Sequence, residues 1–262
     1  MNVHSWLQQH QIDSELILAH VLNKDPTFFV LHPEYKLSSS EQALADQLSL
    51  RRQYGEPLAY LLGYKDFYGR RFLVNSNVLI PRPESEAIID LTKNLWAKLS
   101  PQKPQFNILD LGTGSGCLAI TLKLELPTAN LTASDCSQPA LNLAQQNAER
   151  FHVSIRFRKS HLLAQFPHQH FDLIVANLPY VDRSWPWLNH ATLKFEPTLA
   201  LFALDHGLEL IKQLLLSVTN STQYLIIEAD PSQHTAIRNF AKNHHIQHLE
   251  TDGFSLLFYV FT

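Results

Sequence analysis

The chain has 262 residues, of which 45% are hydrophobic and 17% are charged. This composition is typical of a globular protein, and the length allows one large domain or a core domain with a small one. The net charge of -3 argues against broad, unspecific nucleic-acid binding, and two cysteines are too few for a disulfide framework. No run reaches the ~18 apolar residues of a membrane span, and the N-terminus lacks signal-peptide features. We therefore expect a soluble, cytoplasmic protein, with a monomer as the default.

Residues 1–62 carry helix signals and almost no strand signal. Apolar side chains recur at helical spacing over residues 16–21. Further along, Ser38 and Glu41 have the spacing of a capping box, in which each side chain satisfies a free amide of the helix start. These patterns predict a small helical domain over residues 1–62, of a kind that grips a partner or braces a core.

Residues 63–82 change to an extended pattern interrupted by glycine and asparagine, which predicts a β-hairpin linker between two domains. The linker runs into Pro81-Arg82-Pro83-Glu84, a stiff polar loop that enters a helix with an acidic first turn. Two interpretations stay open for this loop. It is either a well-capped helix start or the rim of a ligand cleft.

From residue 83 to residue 262 strand and helix patterns alternate, which predicts a parallel sheet. The strand Asn107–Leu111 is followed by Gly112-Thr113-Gly114-Ser115-Gly116. Glycines at these positions let a ligand approach the backbone, and the helix that begins at Cys117 points its first amides at the same place. A dinucleotide fingerprint would need its third glycine one residue later. No Gly-Lys-Ser/Thr sequence follows, which excludes a P-loop.

The second predicted strand, Leu131–Ser134, ends at Asp135. An acidic residue about twenty positions after a glycine-rich turn, at a strand end, is placed to accept both hydroxyls of a ribose. The glycine loop and Asp135 together therefore predict a nucleoside-type ligand.

A later strand, Leu173–Ala176, runs into Asn177-Leu178-Pro179-Tyr180. Because Leu178 precedes a proline, its backbone is extended. The Leu178 carbonyl and the Asn177 side-chain oxygen are then placed to accept both hydrogens of one planar NH₂ group, with Tyr180 against its flat face. Taken alone, the turn is equally compatible with an ordinary exit from a strand. In a parallel sheet, however, it lies at the same carboxyl edge as the glycine loop, where ligands bind.

The remaining predicted elements complete the sheet, and their histidines do not indicate a metal site. The patterns predict helices over residues 207–218 and 233–243, a strand over residues 224–229, and a closing strand near residues 255–261. These last two predicted strands are expected to form a hairpin-like pair. Two groups of histidines occur close together in the sequence: His168 with His170, and His244 and His245 with His248. They lack carboxylate or cysteine partners at ligand-like spacing, so we expect surface side chains and no metal. Cys117 and Cys136 are interpreted as small packing residues.

Together these features resemble the release-factor glutamine methyltransferases, the PrmC/HemK family of S-adenosylmethionine-dependent enzymes. The glycine loop alone is shared by many methyltransferases, but its combination with Pro-Arg-Pro-Glu and the helical front domain is highly specific. The matching segments cover nearly the whole chain; they are Arg51-Arg52 through Gly55-Glu56-Pro57, Ile80-Pro81-Arg82-Pro83-Glu84, Asp110–Gly116, Asp135, Asn177–Tyr180 and Phe195-Glu196-Pro197.

The resemblance implies an α/β fold: a Rossmann-like S-adenosylmethionine-dependent methyltransferase domain over residues 83–262, behind a helical substrate-docking domain. The implied substrate is the glutamine of the Gly-Gly-Gln loop of class I peptide chain release factors, methylated on its side-chain amide nitrogen (N5). The implied cofactor residues are Gly112, Thr113, Gly114, Ser115 and Gly116 at the methionine portion, Asp135 at the ribose, Leu162 near the adenine, and Asn177. The implied substrate residues are Asn177, Leu178, Pro179 and Tyr180, of which Asn177, Pro179 and Tyr180 are catalytic.

This sequence departs from the family pattern in two places. Leu178 stands where the family has a proline, and Ser160-His161-Leu162 stands where it has an aspartate and an aromatic residue. Three alternatives stay open at this point. The substrate is a glutamine of another protein, such as a ribosomal one, or an RNA base amino group, or the chain is a cofactor-binding module without catalysis. The net charge and the lack of a dense basic stripe argue against RNA, so no direct nucleic-acid binding is expected.

Overall fold

The structure is a computed structural model that describes residues 1–100, 103, 105–186, 188 and 190–261. Its contacts divide the chain into two compact units. The first comprises Met1–Tyr64 and Asn189–Phe195, and the second comprises Lys65–Leu188 and Glu196–Thr262. Within the described residues, every helix is too short or too polar to cross a membrane.

The described residues form twelve α-helices and nine β-strands. The helices are α1 Val3–Gln9, α2 Ser14–Leu22, α3 Thr27–Leu31, α4 Ser39–Gln53, α5 Leu58–Leu62, α6 Glu86–Leu99, α7 Cys117–Glu125, α8 Gln138–Arg150, α9 His190–Leu193, α10 Thr198–Leu201, α11 Glu209–Ser217 and α12 His234–Asn243. The strands are β1 Tyr64–Phe67, β2 Arg70–Leu73, β3 Asn107–Leu111, β4 Asn130–Asp135, β5 Arg156–Lys159, β6 Phe171–Ala176, β7 Thr222–Glu228, β8 Ile246–Asp252 and β9 Ser255–Val260. Two 3-10 turns, Pro83–Ser85 and Pro231–Gln233, lead into α6 and α12.

The first unit is helical, as predicted. Its core is a cluster that includes Trp6, Ile17 and Leu48, each at most 5% exposed. The predicted capping box at the start of α4 is confirmed. Glu41 donates its backbone N–H to the Ser38 hydroxyl at 3.3 Å, and its carboxylate accepts the Ser38 N–H at 2.7 Å. The helix therefore begins where its first free amides find side-chain acceptors.

The second unit is built on a seven-stranded sheet with the order β5-β4-β3-β6-β7-β9-β8. The first five strands in this order are parallel, and β9 runs antiparallel to both of its neighbours. The predicted parallel sheet with a final antiparallel pair is therefore confirmed. All six residues of β6 are buried, as expected for a central strand covered on both faces.

Alternate residues of the central strands face two separate cores, because successive side chains of a strand point to opposite faces. Ile174 of β6 belongs to the cluster that α11 and α12 cover. Val175, the next residue, belongs to the cluster that α6 and α7 cover. The two helical layers cover both faces of the sheet and leave only its ends for loops.

Two stretches differ from the sequence prediction. The hairpin is shorter than its apolar pattern indicates, because Val78 and Ile80 are buried at 1% and 5% exposure in a loop rather than in a strand. The hairpin turn is Tyr68-Gly69, and both residues have positive φ, as a two-residue turn between twisted strands requires. Strand β8 carries no clear sequence signal, because most of its residues are polar and lie at the edge of the sheet.

Asn147 of α8 ties the hairpin to the glycine loop. Its side chain is completely buried and makes three hydrogen bonds. The Asn147 oxygen accepts the Leu73 N–H at 2.8 Å, and the amide group donates to the carbonyl oxygens of Leu73 at 3.0 Å and Ser115 at 2.8 Å. One side chain thus holds β2 and the loop before α7 in place.

We expect Asn147→Ala to lower the free energy of unfolding by about 2–4 kcal/mol, because three backbone groups, one buried and two partly buried, lose their side-chain partner. Urea unfolding followed by circular dichroism measures this change. Asn142→Ala is the matched control, since Asn142 lies on the same helix with an exposed side chain. Equal losses in the two variants would contradict the structural role of Asn147.

Candidate active site

A cavity opens at the carboxyl ends of β3, β4 and β6, and most of the predicted site residues line it. Those that line it are Gly112, Thr113, Gly114, Ser115, Asp135, Leu162, Asn177, Leu178 and Pro179. Gly116 and Tyr180 are outside the set of described residues that line this cavity. Pro81 and Arg82 contribute to its wall, so the Pro-Arg-Pro-Glu loop both precedes a helix and borders a cleft.

The glycine loop is held against the neighbouring strand. The N–H groups of Gly112 and Thr113 both donate to the Ser134 carbonyl, at 2.8 and 2.9 Å. Gly116 has a packing role, because an added Cβ would lie 3.0 Å from Ile120 Cδ1 and 3.1 Å from Ala144 Cβ. Close packing of α7 on α8 therefore requires a glycine at this position. The contact of Gly116 with the methionine portion of a cofactor stays a prediction.

Asp135, the residue expected to bind a ribose, accepts hydrogen bonds from two backbone N–H groups beside the cavity. One carboxylate oxygen accepts the Gly114 N–H at 3.0 Å and the other accepts the Ser137 N–H at 2.9 Å. Each oxygen of a carboxylate has two acceptor sites, so both retain capacity for a hydroxyl group. Asp135 thus shapes the glycine loop and still offers acceptors to the cavity that it lines.

Asp110 is a buried carboxyl group beneath the loop that the sequence did not single out as functional. Its Oδ2 accepts hydrogen bonds from the Thr113 hydroxyl at 2.7 Å and from the Ala119 N–H at 3.2 Å, and its Oδ1 has no partner among the described residues. Burial raises the pKa of Asp110 to about 7, and the nearby charge of Asp135 adds to the rise. Asp110 therefore titrates near neutral pH.

The Asn177 amide is oriented by a residue far away in sequence. Its Nδ2 donates to the Ser85 hydroxyl at 2.8 Å, and Ser85 is only 3% exposed in the 3-10 turn before α6. With the amide NH₂ used in this way, Oδ1 is left as the acceptor of the side chain. The orientation agrees with the predicted use of this oxygen.

Leu178, the departure from the family's proline, is 6% exposed and packs into the core beside the cavity. A Cβ on Gly112 would lie 3.3 Å from Leu178 Cδ2, so the leucine lies directly against the glycine loop. Burial of this side chain restrains the turn by packing where a proline ring would restrain the backbone.

Tyr180 is anchored at both ends. Its hydroxyl donates to Glu228 Oε1 at 3.0 Å, and its backbone carbonyl accepts the Gln233 amide at 2.8 Å. The ring packs against the core cluster. That the ring lies against the flat face of a substrate amide stays a prediction.

A partly buried ion pair joins two motifs of the predicted family. Arg82 Nη2 donates to Glu196 Oε1 at 2.5 Å, and Glu196 Oε2 accepts the Ile80 N–H at 3.1 Å. Glu196 is 6% exposed, so removing Arg82 would leave a buried charge without its partner. The pair fixes the wall to which Pro81 and Pro197 contribute.

The segment that replaces the family's aspartate and aromatic residue has an unusual backbone. Leu162 has a φ of 44°, and its carbonyl accepts the Ser160 hydroxyl at 2.7 Å.

Both cysteines line the cavity. Cys117 also packs against the core, whereas Cys136 is exposed, so packing does not explain Cys136. In the part of the chain that the structure describes, three or more His, Cys, Asp or Glu side chains are nowhere grouped to hold a metal.

Two family models match the chain: one described as PrmC N-terminal domain over residues 6–63, and one described as Methyltransferase small domain over residues 84–190. The release factor glutamine methyltransferase of Koribacter versatilis is 42% identical, over 78% of this chain and 72% of that protein. The one from Neisseria gonorrhoeae is 35% identical, over 87% of this chain and 83% of that protein. The chain belongs to the release factor glutamine methyltransferase family.

A longer protein, the bifunctional methyltransferase of Rickettsia conorii, is 33% identical to this chain over 89% of the chain's residues. The chain spans only 50% of that protein's length. Among solved structures, the catalytic domain of hMettl16 with a MAT2A 3'UTR hairpin has a TM-score of 0.55 at 15% identity, covering 94% of this chain and 91% of that one. The T. Thermophilus 16S rRNA N2 G1207 methyltransferase, in complex with AdoMet and guanosine, has a TM-score of 0.52 at 16% identity, covering 76% and 50%. These likenesses support the Rossmann-like methyltransferase fold.

The cofactor of this methyltransferase is S-adenosylmethionine, and the residues of the cavity fit it. The glycine loop keeps side chains away from the backbone, and Asp135 retains acceptor sites. The buried hydroxyl oxygens of Ser115 and Ser134, which line the cavity, have no hydrogen-bond partner among the described residues. A polar ligand with donors and acceptors would satisfy them, as buried polar groups require.

Gly207 tests the packing around the Tyr180 carbonyl. An added Cβ would lie 1.9 Å from the Tyr180 oxygen and 2.6 Å from Gln233 Nε2, and the φ of Gly207 is +82°. We expect Gly207→Ala to lower the free energy of unfolding by about 3 kcal/mol or more, through strain and loss of the Gln233 bond. Urea unfolding measures it. Gly253→Ala is the control: its φ is +54°, the new Cβ meets no described atom within 4 Å, and only about 1–2 kcal/mol of backbone strain is expected.

Asp110 predicts a pH dependence of stability. Its pKa of about 7 in the folded chain exceeds the usual 3.8, so the protonated form is favoured by folding. The corresponding stability is present below pH 3.8 and is lost as the pH rises to about 7, by up to about 4 kcal/mol. Urea unfolding across this range should show a steeper fall for the wild type than for Asp110→Asn. Parallel curves would contradict the buried-acid assignment.

Proposed function

We propose that this chain transfers the methyl group of S-adenosylmethionine to the side-chain amide nitrogen (N5) of the glutamine in the Gly-Gly-Gln loop of class I peptide chain release factors. The observation that carries this proposal is the Asn177 amide, held by Ser85 in the cavity that the glycine loop and Asp135 also line. Methylation of an amide requires hydrogen-bond acceptors that hold the planar amide nitrogen, placed beside a site for the nucleoside-containing cofactor.

In this proposal the glycine loop residues Gly112, Thr113, Gly114, Ser115 and Gly116 hold the methionine portion of the cofactor. Asp135 holds the ribose and Leu162 borders the adenine. When bound, the cofactor supplies an electrophilic methyl group on a positively charged sulfur. Asn177 borders both ligands, since it lines the same cavity. The chain's task is to place the acceptor nitrogen and to exclude other nucleophiles.

The acceptor is a poor nucleophile, because the lone pair of an amide nitrogen is delocalised into its carbonyl. In the proposed site Asn177 Oδ1 and the Leu178 carbonyl accept the two hydrogens of the substrate NH₂, while Pro179 and Tyr180 limit its movement. These contacts act by positioning and by electrostatics rather than by proton abstraction. The nitrogen loses its proton after the transfer, so the site needs no strong base.

The domain roles and the surroundings form part of the same proposal. Residues 1–62 dock the release factor, residues 63–82 form the hairpin linker, and residues 83–262 carry the chemistry. The family model over residues 6–63 supports a separate N-terminal domain. The enzyme acts in the cytoplasm as a monomer and without direct binding of nucleic acid, in keeping with its net charge of -3.

The decisive experiment incubates the chain with methyl-labelled S-adenosylmethionine and, separately, with a purified class I release factor, the same factor with its Gly-Gly-Gln glutamine changed to alanine, ribosomal proteins, and ribosomal RNA. We expect label in the first factor alone. Label in RNA or in a ribosomal protein instead would replace the proposed substrate. Label in none, with cofactor bound, would indicate a binding module.

Asn177→Ala tests the amide-holding role. We expect its turnover to fall on the order of a hundredfold or more, while the chain still folds and still binds the cofactor, because one of two oriented acceptors is lost. Single-turnover methylation and calorimetric cofactor binding separate these effects. Asn130→Ala is the control, since Asn130 is an exposed asparagine at the opposite end of β4. Near-normal turnover of Asn177→Ala would refute the role.

A further inference from the structure

Glu228 is a buried carboxyl group that the proposed reaction leaves without a role. It is the last residue of β7 and is 1% exposed. Its Oε1 accepts the Tyr180 hydroxyl at 3.0 Å, whereas its Oε2 has no hydrogen-bond partner among the described residues. Burying a carboxyl group is unfavourable even where polar groups lie close to it, so this position costs stability that a packed apolar residue would not.

The groups around Glu228 are those that hold the Asn177–Tyr180 turn. Burial raises the pKa of Glu228; Ser85, Tyr180 and Asn177 lie close enough to oppose the rise, and Glu84 adds to it. The register of the sheet explains this proximity. Ala176, the residue before the turn, pairs with Ile227, the residue before Glu228, so the turn and the carboxyl group leave the sheet side by side.

The Tyr180 hydroxyl remains a donor at working pH. Burial raises the pKa of this phenol, and the negative charges of Glu228, Asp230 and Glu84 raise it further. A phenol that stays protonated beside a carboxyl oxygen at 3.0 Å gives a directional bond and therefore one preferred ring orientation. The other end of the residue is held by Gln233, whose amide donates to the carbonyls of Tyr180 and His206, both at 2.8 Å.

We propose that Glu228 is a positioning residue for the methyl acceptor: by holding the Tyr180 hydroxyl, it fixes the tyrosine side chain and the turn from Asn177 in the orientation that receives the substrate amide. The inference rests on the proposed function and deepens it. Leu178 lacks the ring that stiffens the family's turn, and the bonds from Glu228 and Gln233 supply restraint from outside the turn. Glu228 acts through Tyr180 and has no contact with substrate in this assignment.

Three variants test the proposal by kinetics. Glu228→Leu removes the acceptor with little change in size, Glu228→Gln keeps an acceptor oxygen, and Tyr180→Phe removes the donor. We expect Glu228→Leu and Tyr180→Phe each to lower kcat by roughly tenfold to a hundredfold, because a small misplacement of the reacting groups is enough for such a loss. Glu228→Gln should retain most of kcat. The affinity for cofactor should stay the same in all three, since Glu228 and Tyr180 are outside the cavity lining of the described chain.

The double variant Glu228→Leu/Tyr180→Phe decides whether the two residues act as one unit. If Glu228 works through Tyr180, the double variant loses no more kcat than the worse single variant. Fully multiplicative losses, or a normal kcat in Tyr180→Phe, would overturn the proposal. Asp172→Asn is the matched control: Asp172 is 3% exposed at the start of the neighbouring strand β6 and accepts the Asn107 N–H at 2.7 Å. It should change stability and leave kcat unaltered.

A readout without turnover separates this inference from the proposed function. In protein labelled with ¹³C-tyrosine, the Tyr180 ring signals identified by Tyr180→Phe should shift and show faster ring flips in Glu228→Leu and remain close to wild type in Glu228→Gln. Unchanged ring signals in Glu228→Leu would overturn the inference even if the release factor is methylated. Absence of methylation by the wild type would instead overturn the proposed function, and the ring signals would still decide whether Glu228 fixes Tyr180.

Discussion

The candidate site depends on the parallel pairing of β3 with β6. Leu111 is in register with Ala176, so the next residues, Gly112 and Asn177, leave the sheet together. Both strands are buried on both faces, and a slip by one residue would exchange their two hydrophobic cores. The position of the glycine loop relative to the Asn177 turn is therefore determined by the packing of the sheet, and the loops need only small local contacts to complete the site.

Those elements of the site that follow directly from a strand were predictable from sequence. The glycine loop, Asp135 and the Asn177 turn each stand at the end of an apolar run, and the carboxyl ends of parallel strands share one edge. Sequence reasoning did not identify Ser85, Glu228 or Gln233. Their partners Asn177 and Tyr180 are 92, 48 and 53 residues away in the chain, and no local pattern encodes such contacts. The resemblance pointed to the Pro-Arg-Pro-Glu loop, but only the structure joins Ser85, the residue after it, to Asn177.

The fold shows the same division between local and distant causes. Strands with continuous apolar runs were predicted nearly to their ends, because burial on both faces demands such runs. The polar edge strand β8 has too few apolar residues for periodicity to reveal it, and it exists because β9 supplies its hydrogen-bond partners. The opposite error occurred at Val78 and Ile80, where the sequence pattern predicted a strand and the structure has a loop. Their side chains are buried, and buried apolar residues of a loop give the same sequence pattern as a strand. Tertiary context decided each of these cases.

The buried side chain of Asn147 links the backbone of β2 to the carbonyl of Ser115 in the glycine loop. Any ligand that binds the folded chain and restrains this loop will also reduce local opening of the groups bonded to Asn147. The Leu73 amide, which donates to the Asn147 oxygen, is one of them. Its hydrogen exchange should therefore slow when a ligand restrains the glycine loop, even though this amide belongs to the hairpin.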